Sequence, residues 1–219
     1  MARTLLFSIA LSALATACTT SPTANTEDVS SVRVSILSDD VSEFERALVT
    51  ADQLVEAGNT PTAIDRLTQM LGSTDLTDAQ RATLYFERGK LRQSADGYDV
   101  WGAITDYETL LDQYPSSPFT AEATEQIGLA RGEATSLNGV LEQPETTRSQ
   151  RFSALLRLGE HQDAIDLMLS SNLRPENEEL IAMYQIGYLC DGEDQTGPAY
   201  DAIEPDGTTR ELRFCDFGK

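Results

Sequence analysis

Basic side chains are scarce in this chain of 219 residues: 16 Lys and Arg stand against 36 Asp and Glu, a formal net charge of −20. Like-signed fields repel at long range, so a nucleic-acid backbone or an anionic lipid surface is excluded as an unassisted partner. Histidine is scarcer still. With His161 as the single imidazole, a three-His zinc site cannot be built, and relay chemistry between histidines has no second member. Neither GxSxG nor HExxH occurs, which removes two common signatures of hydrolytic enzymes. Aromatics make up 7% of the residues, yet 40% are hydrophobic, well above the regime of low hydrophobicity and high charge that stays unfolded. A core can form, and the length allows one domain with appendages. The plainest reading of the acidity is solubility or a salty habitat, ahead of a basic partner. No metal or cofactor is expected.

The N-terminal residues read as an address. Met1 to Arg3 are a short positive region, Leu5 to Ala15 an apolar run, and Ala15-Thr16-Ala17-Cys18 a small-residue cleavage site ending in cysteine. The run is too short to cross a hydrocarbon core of about 30 Å as a helix. This pattern resembles a bacterial lipoprotein signal, which implies removal of residues 1–17 and acylation (palmitate among the chains) of Cys18 as the new N-terminus. Ordinary secretion with cleavage nearby is the alternative. Several acyl chains anchor a protein stably where one does not. Thr19 in place of Asp resembles the outer-membrane sorting pattern, so the expected location is the periplasmic face of the outer membrane. Residues 18–40 form a tether: Thr19 to Ser31 are small and polar, while Val32, Val34 and Ile36 alternate with Arg33 and Ser35 as one short strand would.

An exported chain meets an oxidising compartment. Cys190 and Cys215 therefore pair as a structural disulfide, closing a loop of 25 residues worth about 3 kcal/mol in the chain-entropy account. A metal or thiol pair would need CxxC spacing or a nearby His.

From residue 41 the apolar spacing is helical. Helices are expected near 41–57, 60–71, 77–94, 99–113, 118–136, 144–158, 160–171 and 175–189. Thr60-Pro61 and Ser117-Pro118 read as caps followed by a proline at the first helical position. Thr77 to Gln80 reads as a capping box. Pro175 with Glu176, Glu178 and Glu179 puts negative charge on the positive end of a helix dipole. Short connections make successive helices antiparallel hairpins. The segments Gly58 to Asp65 and Gly159 to Asp166 share Gly, Ala, Ile and Asp at identical offsets, and Gly102 to Asp106 is a looser copy. Repeats of this kind bury a stripe that no single hairpin could cover.

Here the sequence resembles the tetratricopeptide repeat. Tyr85, Gly89, Ala103, Tyr107, Leu110 and Pro115 fall on the repeat's positions in the second unit, and Ala47, Ala51, Leu54, Ala63, Leu67 and Met70 in the first. Phe152 stands where the third unit expects a small residue. The interval from Gly89 to Ala103 is two residues longer than the family's, which enlarges the turn at Ser94 to Asp99. Narrower likenesses join it. The stretch from Arg66 to Ser94 resembles NlpI-type outer-membrane lipoproteins, and Leu110 to Ala123 resembles BamD-type ones. The resemblance implies an all-α, tetratricopeptide-like α-solenoid over residues 41–190, with residues 191–219 as a β-hairpin and disulfide appendage around the turn Pro205-Asp206-Gly207. It also implies an adaptor, not an enzyme, that binds envelope enzymes or assembly factors and contacts the membrane through its lipid. A homodimer through the repeat face is a further expectation. Alternatives are a cell-wall enzyme and a subunit of an outer-membrane assembly complex.

By family register the partner groove would be lined by Glu45, Leu48, Asp52, Val55, Thr83, Phe86, Lys90 and Gln93, with Phe86 and Leu48 as anchors or else as packing between repeats. Arg81, Arg88 and Arg92 share a helix face, and Arg88 is expected to pair with Asp106 rather than to clamp a partner. His161 is read as a solvated turn residue, Trp101 as satellite core, and Asp191 to Asp194 as a solvated charge run.

Overall fold

A computed structural model describes residues 41–170, 174–192 and 195–215. The signal, Cys18, the tether and the strand expected at 32–36 lie outside the described residues. The helices are α1 (Glu43–Glu56), α2 (Thr60–Leu71), α3 (Asp78–Gln93), α4 (Val100–Gln113), α5 (Thr120–Glu142), α6 (Arg148–Leu158), α7 (His161–Ser170) and α8 (Asn177–Gln185). Three strands follow: β1 (Leu189–Asp191), β2 (Tyr200–Ile203) and β3 (Thr209–Phe214). The chain is thus mostly helical with a small sheet.

Helix starts follow capping chemistry, though not always at the expected residue. Thr77 and Gln80 form the expected box, with the Gln80 amide donating to the Thr77 hydroxyl at 3.3 Å and the Thr77 amide to the Gln80 side chain at 2.9 Å. Ser42 with Glu45 and Thr147 with Gln150 repeat it. Ahead of α2 the cap is Asn59, one residue before Thr60. Pro118 does not open α5: that helix starts at Thr120, with no side-chain cap on its first turn. It also runs to Glu142 instead of 136, since Leu137 and Leu141 still find apolar cover beside Val100, Ile104 and Leu158.

Three helix ends share one reversal. Gly58, Gly159 and Gly187 have φ of +75°, +89° and +80°, a backbone region open to glycine at little cost. In each, the glycine amide and the next amide bond back into the last turn, as in Gly159 to Leu156 and Glu160 to Leu155. Two of these turns are the repeated Gly-Ala-Ile segments. The third ends α8 at Gln185, short of the expected 189, and frees Leu189 to Asp191 to become β1.

The core is divided into neighbouring clusters. Ala47, Ala51, Ala63, Leu67 and Leu84 join α1 to α2 and α3; Ala82, Phe86, Ala103, Tyr107 and Ile127 join α3 to α4 and α5. Small residues set the approach: a Cβ on Gly89 would lie 2.7 Å from the Tyr107 ring. Helices pack chiefly on their neighbours in chain order. The last cluster holds Phe152, Ile165, Met168, Leu180 and Met183 together with Leu189, Ala202 and Leu212 of the sheet. The hairpin is therefore embedded in the helical core, not appended to it. All three strands are antiparallel in the order β1-β3-β2. The Cys190–Cys215 disulfide, with Cα atoms 5.1 Å apart, ties β1 to the residue that follows β3.

One charged group is sealed between these layers. Asp106 is 1% exposed and accepts from Arg88 Nε at 2.9 Å and Nη2 at 2.6 Å, and from Arg92 Nη1 at 3.0 Å. Arg81 does not join them; it donates to the carbonyls of Leu71 and Ser73 and closes the end of α2. The three arginines that share a face are all committed within the chain, as local pairing requires. Asp106→Ala leaves the Arg88 guanidinium without a carboxylate and leaves Arg92 with the Asp99 carboxylate alone, 3.1 Å from its Nε, so it should lower stability by about 3–5 kcal/mol, read as a fall in the urea midpoint at constant slope. An unmoved midpoint would mean that Thr68, which already accepts from Arg88, and Asp99 with the Gly102 carbonyl suffice for the two cations.

Candidate functional site

The residues expected to line a groove do not come together as one. Phe86 is 2% exposed, stacked on Phe119 with centroids 4.6 Å apart and packed on Tyr107. It is a core residue of α3, α4 and α5, closed to a guest. Leu48 is half-buried against the first cluster. Thr83 donates to the Ala79 carbonyl, Lys90 pairs with Glu87 while lying over the Phe86 ring, and Gln93 accepts from the Tyr107 hydroxyl. Glu45 is held in the α1 capping box. Asp52 and Val55 are exposed on α1. The cause lies in α3, which is buried on opposite sides by α2 and α4 and has no free face wide enough for a groove.

Among the described residues, two cavities lie along α4, at its C-terminal end beside Ala79 and Ala82 and between Leu111 and Ile127; three others surround the enlarged turn after α3. Residues 94–99 leave the helix end and dock onto α6 and α7. The Arg157 guanidinium donates to the carbonyls of Gln93 and Ser94 and to the Glu133 carboxylate at 2.6 Å. His161 is not free in solvent: its Nε2 meets the Tyr98 carbonyl at 2.8 Å and its ring lies edge-on to Tyr188. Asp99 caps α4 by accepting from the Gly102 amide at 2.8 Å, and it faces Gly159 so closely that a Cβ there would lie 2.4 Å from its Oδ1. Gly97 is equally confined, a Cβ on it falling 2.0 Å from the Leu91 carbonyl.

Between these fixed points Tyr98 takes a φ of +48°, the one positive value outside glycine among the described residues. Such a backbone costs a bulky residue of order 1–2 kcal/mol. Tyr98 is shared by the walls of three cavities. One, of about 470 Å3, is walled by Leu137, Val140, Phe152 and Ala182. A second, of about 360 Å3, lies between Ile181 and the hairpin residue Ile203. The third, of about 650 Å3, opens between the α1–α2 turn and the end of α8. Burial, with the Asp96 carboxylate adding to it, pushes the Tyr98 hydroxyl above its ordinary range. It therefore stays protonated at physiological pH, an apolar ring with one polar tip.

At the wall of the first cavity Glu179, 1% exposed, accepts from Arg148 Nη2 at 2.6 Å and from the Glu176 amide at 2.9 Å. Its other carboxylate oxygen is buried without a partner, as is Arg148 Nε. Burial pushes this carboxyl up, against the pull of the Glu176 amide and the Arg148 charge. Trp101 is 42% exposed on α4, outside the core. Asp191 pairs with Arg210 at 2.8 Å, while Glu193 and Asp194 lie outside the described residues. Among the described residues no three His, Cys, Asp or Glu side chains are grouped to hold a metal, and no helix is long and apolar enough to cross a membrane. The arrangement offers a binding cleft with an aromatic centre. Tyr98 and Arg157 were not singled out from the sequence, and Glu179 was read only as a negative charge at a helix start; the signal near Tyr98 is the lengthened turn.

A folded carboxyl that holds its proton more tightly than the unfolded one favours the native state below the ordinary carboxylate range, and loses that advantage as pH rises through the raised value. Glu179→Gln keeps an acceptor for Arg148 and for the Glu176 amide but cannot ionise. Its denaturation midpoint should move upward relative to the unaltered chain as pH goes from about 4 to about 7; a difference constant with pH would show that Glu179 titrates as an ordinary surface acid. No protein-family model, curated protein or solved structure matches this chain, so its function has to be read from its own residues.

Proposed function

We propose that this chain is a lipid-anchored adaptor of the bacterial envelope, held by Cys18 at the periplasmic face of the outer membrane, that binds partner proteins in the cleft around Tyr98. On this reading the helical pairs are tetratricopeptide-like units of an α-solenoid, and the protein resembles NlpI-type and BamD-type lipoproteins in serving envelope or peptidoglycan maintenance without catalysis of its own. The observation that carries the binding role is the convergence of three cavities on a tyrosine held in an unfavourable backbone conformation. Strain of that kind persists where the surroundings over-determine it, and it concentrates at binding sites. The shared Gly-Ala-Ile turns and a core divided between successive helices support the repeat reading.

The test uses the full-length chain captured from detergent-solubilised envelopes, unaltered and as Tyr98→Asn. Asparagine tolerates positive φ, so the turn keeps its course while the ring is lost. Defined proteins retained by the unaltered chain and released by the variant are the expected result. Equal retention would remove Tyr98 from the interface, and turnover of purified cell wall by the protein alone would replace the adaptor with an enzyme. For the anchor, Cys18→Ser should move the protein from the membrane fraction to the soluble periplasm; unchanged fractionation would end the lipoprotein reading.

A further inference from the structure

We infer that the widest part of the cleft receives a lysine or arginine side chain from a basic, partly apolar segment of the partner, while the neighbouring apolar part receives a hydrophobic side chain of the same segment. This rests on the adaptor reading and adds the chemistry of the occupant. The argument is one of uncompensated charge. The walls of the cleft carry Asp65 and Asp96 at the wide end and Glu178 near the Tyr98 ring. None of these three carboxylates makes a hydrogen bond or ion pair with another described residue.

The cations nearby are already committed. Arg157 is bound to Glu133 and to two backbone carbonyls. Arg148 is bound to Glu179 and to the Met168 carbonyl. Arg210, beside the wall residue Tyr184, is bound to both Asp191 and Glu204. What the cleft presents to solvent is therefore negative. Its wide end is also aromatic, with Tyr98 and Tyr184, and ring faces attract organic cations. Tyr184 already accommodates one guanidinium, that of Arg210 at 4.8 Å from the ring centroid.

Other occupants match less well. A hard divalent ion takes six or more oxygens, whereas this end of the cleft combines two carboxylates with two phenol rings. A second copy of the chain carries a net charge of −20, and two such surfaces repel. A basic peptide gains from the same field, and the cavity that shares Tyr98 with the wide end is walled by Leu137, Val140 and Phe152, which suit an apolar side chain.

The probe is a fluorescein-labelled octapeptide alternating lysine and leucine, titrated against the full-length chain in neutral detergent and followed by anisotropy. The same peptide with glutamine for lysine is the comparison. The lysine peptide should bind at least about tenfold tighter, and the Asp65→Asn/Asp96→Asn double variant should erase that difference. Asp52→Asn/Asp163→Asn, which removes the same charge from exposed positions of α1 and α7, should preserve it. If both peptides bind equally and Tyr98→Asn weakens both, the cleft is a docking site but the cation inference is overturned. If both double variants act alike, the attraction is that of the whole chain's charge, and the inference is again overturned. Peptide binding indifferent to Tyr98→Asn would overturn the docking reading as well. A change in sedimentation of the chain alone on Asp65→Asn/Asp96→Asn would assign the cleft to a second copy, against the proposal.

Discussion

A guanidinium that leaves water must find partners for its donors, and Arg157 does so by reaching from α6 to the carbonyls of Gln93 and Ser94, more than sixty positions earlier in the chain. Those carbonyls belong to the C-terminal end of α3, where the helix itself can no longer supply amides. One side chain thus closes a helix terminus and fixes the following turn against a distant part of the molecule. His161 on the Tyr98 carbonyl, the Arg92–Asp99 pair and Asp99 against Gly159 hold the same turn from its other sides. The cleft depends on this docking, because the turn supplies Asp96 and Tyr98 to its walls.

Packing elsewhere explains why the turn has room to dock. Alanines at Ala47, Ala51, Ala63, Ala103, Ala123 and Ala130 let successive helices approach closely, so each cluster is thin and spans only a few elements. A core built this way lacks one broad interior into which a loop would otherwise collapse. Its stability is spread over local interfaces: Gly89 under Tyr107 and Asp106 between two arginines join α3 to α4, and the sheet residues Ala202 and Leu212 close the final cluster.

Much of this was legible because it is written in local chemistry. Helical spacing located the helices, Thr77 and Gln80 marked a true start, the Gly58 and Gly159 turns announced themselves by repetition, and the pairing of Arg88 with Asp106 and of Cys190 with Cys215 followed from position and compartment. The misreadings have physical causes. Ser117-Pro118 has the composition of a cap, but the Thr120 hydroxyl bonds to the Ser117 carbonyl and the turn tightens before the helix begins. Phe86 was placed on a groove by register, yet the aromatic Phe119, from the connection before α5, stacks on it and closes that face. The cleft itself was not legible, since it is made by contacts such as Arg157 with Gln93 that carry no sequence periodicity. Only the lengthened turn between Gly89 and Ala103 hinted that something would be inserted there.

The turn also exposes a balance between stability and recognition. A glycine at position 98 would adopt the required φ without the cost that tyrosine bears, and position 97, one residue earlier, already holds glycine. The ring at position 98 packs only partly against the last cluster and has no partner for its hydroxyl among the described residues. Its burial offsets part of the backbone cost, but only glycine would free the turn from that strain altogether. A tyrosine kept in a conformation that glycine would satisfy more cheaply, and lining three cavities, fits the proposed binding role, in which the ring gains its contacts when a partner is bound. On that view the docking of the turn by Arg157 and His161 serves to preorganise the ring, so that its ordering is settled in folding and not charged against the binding of a partner.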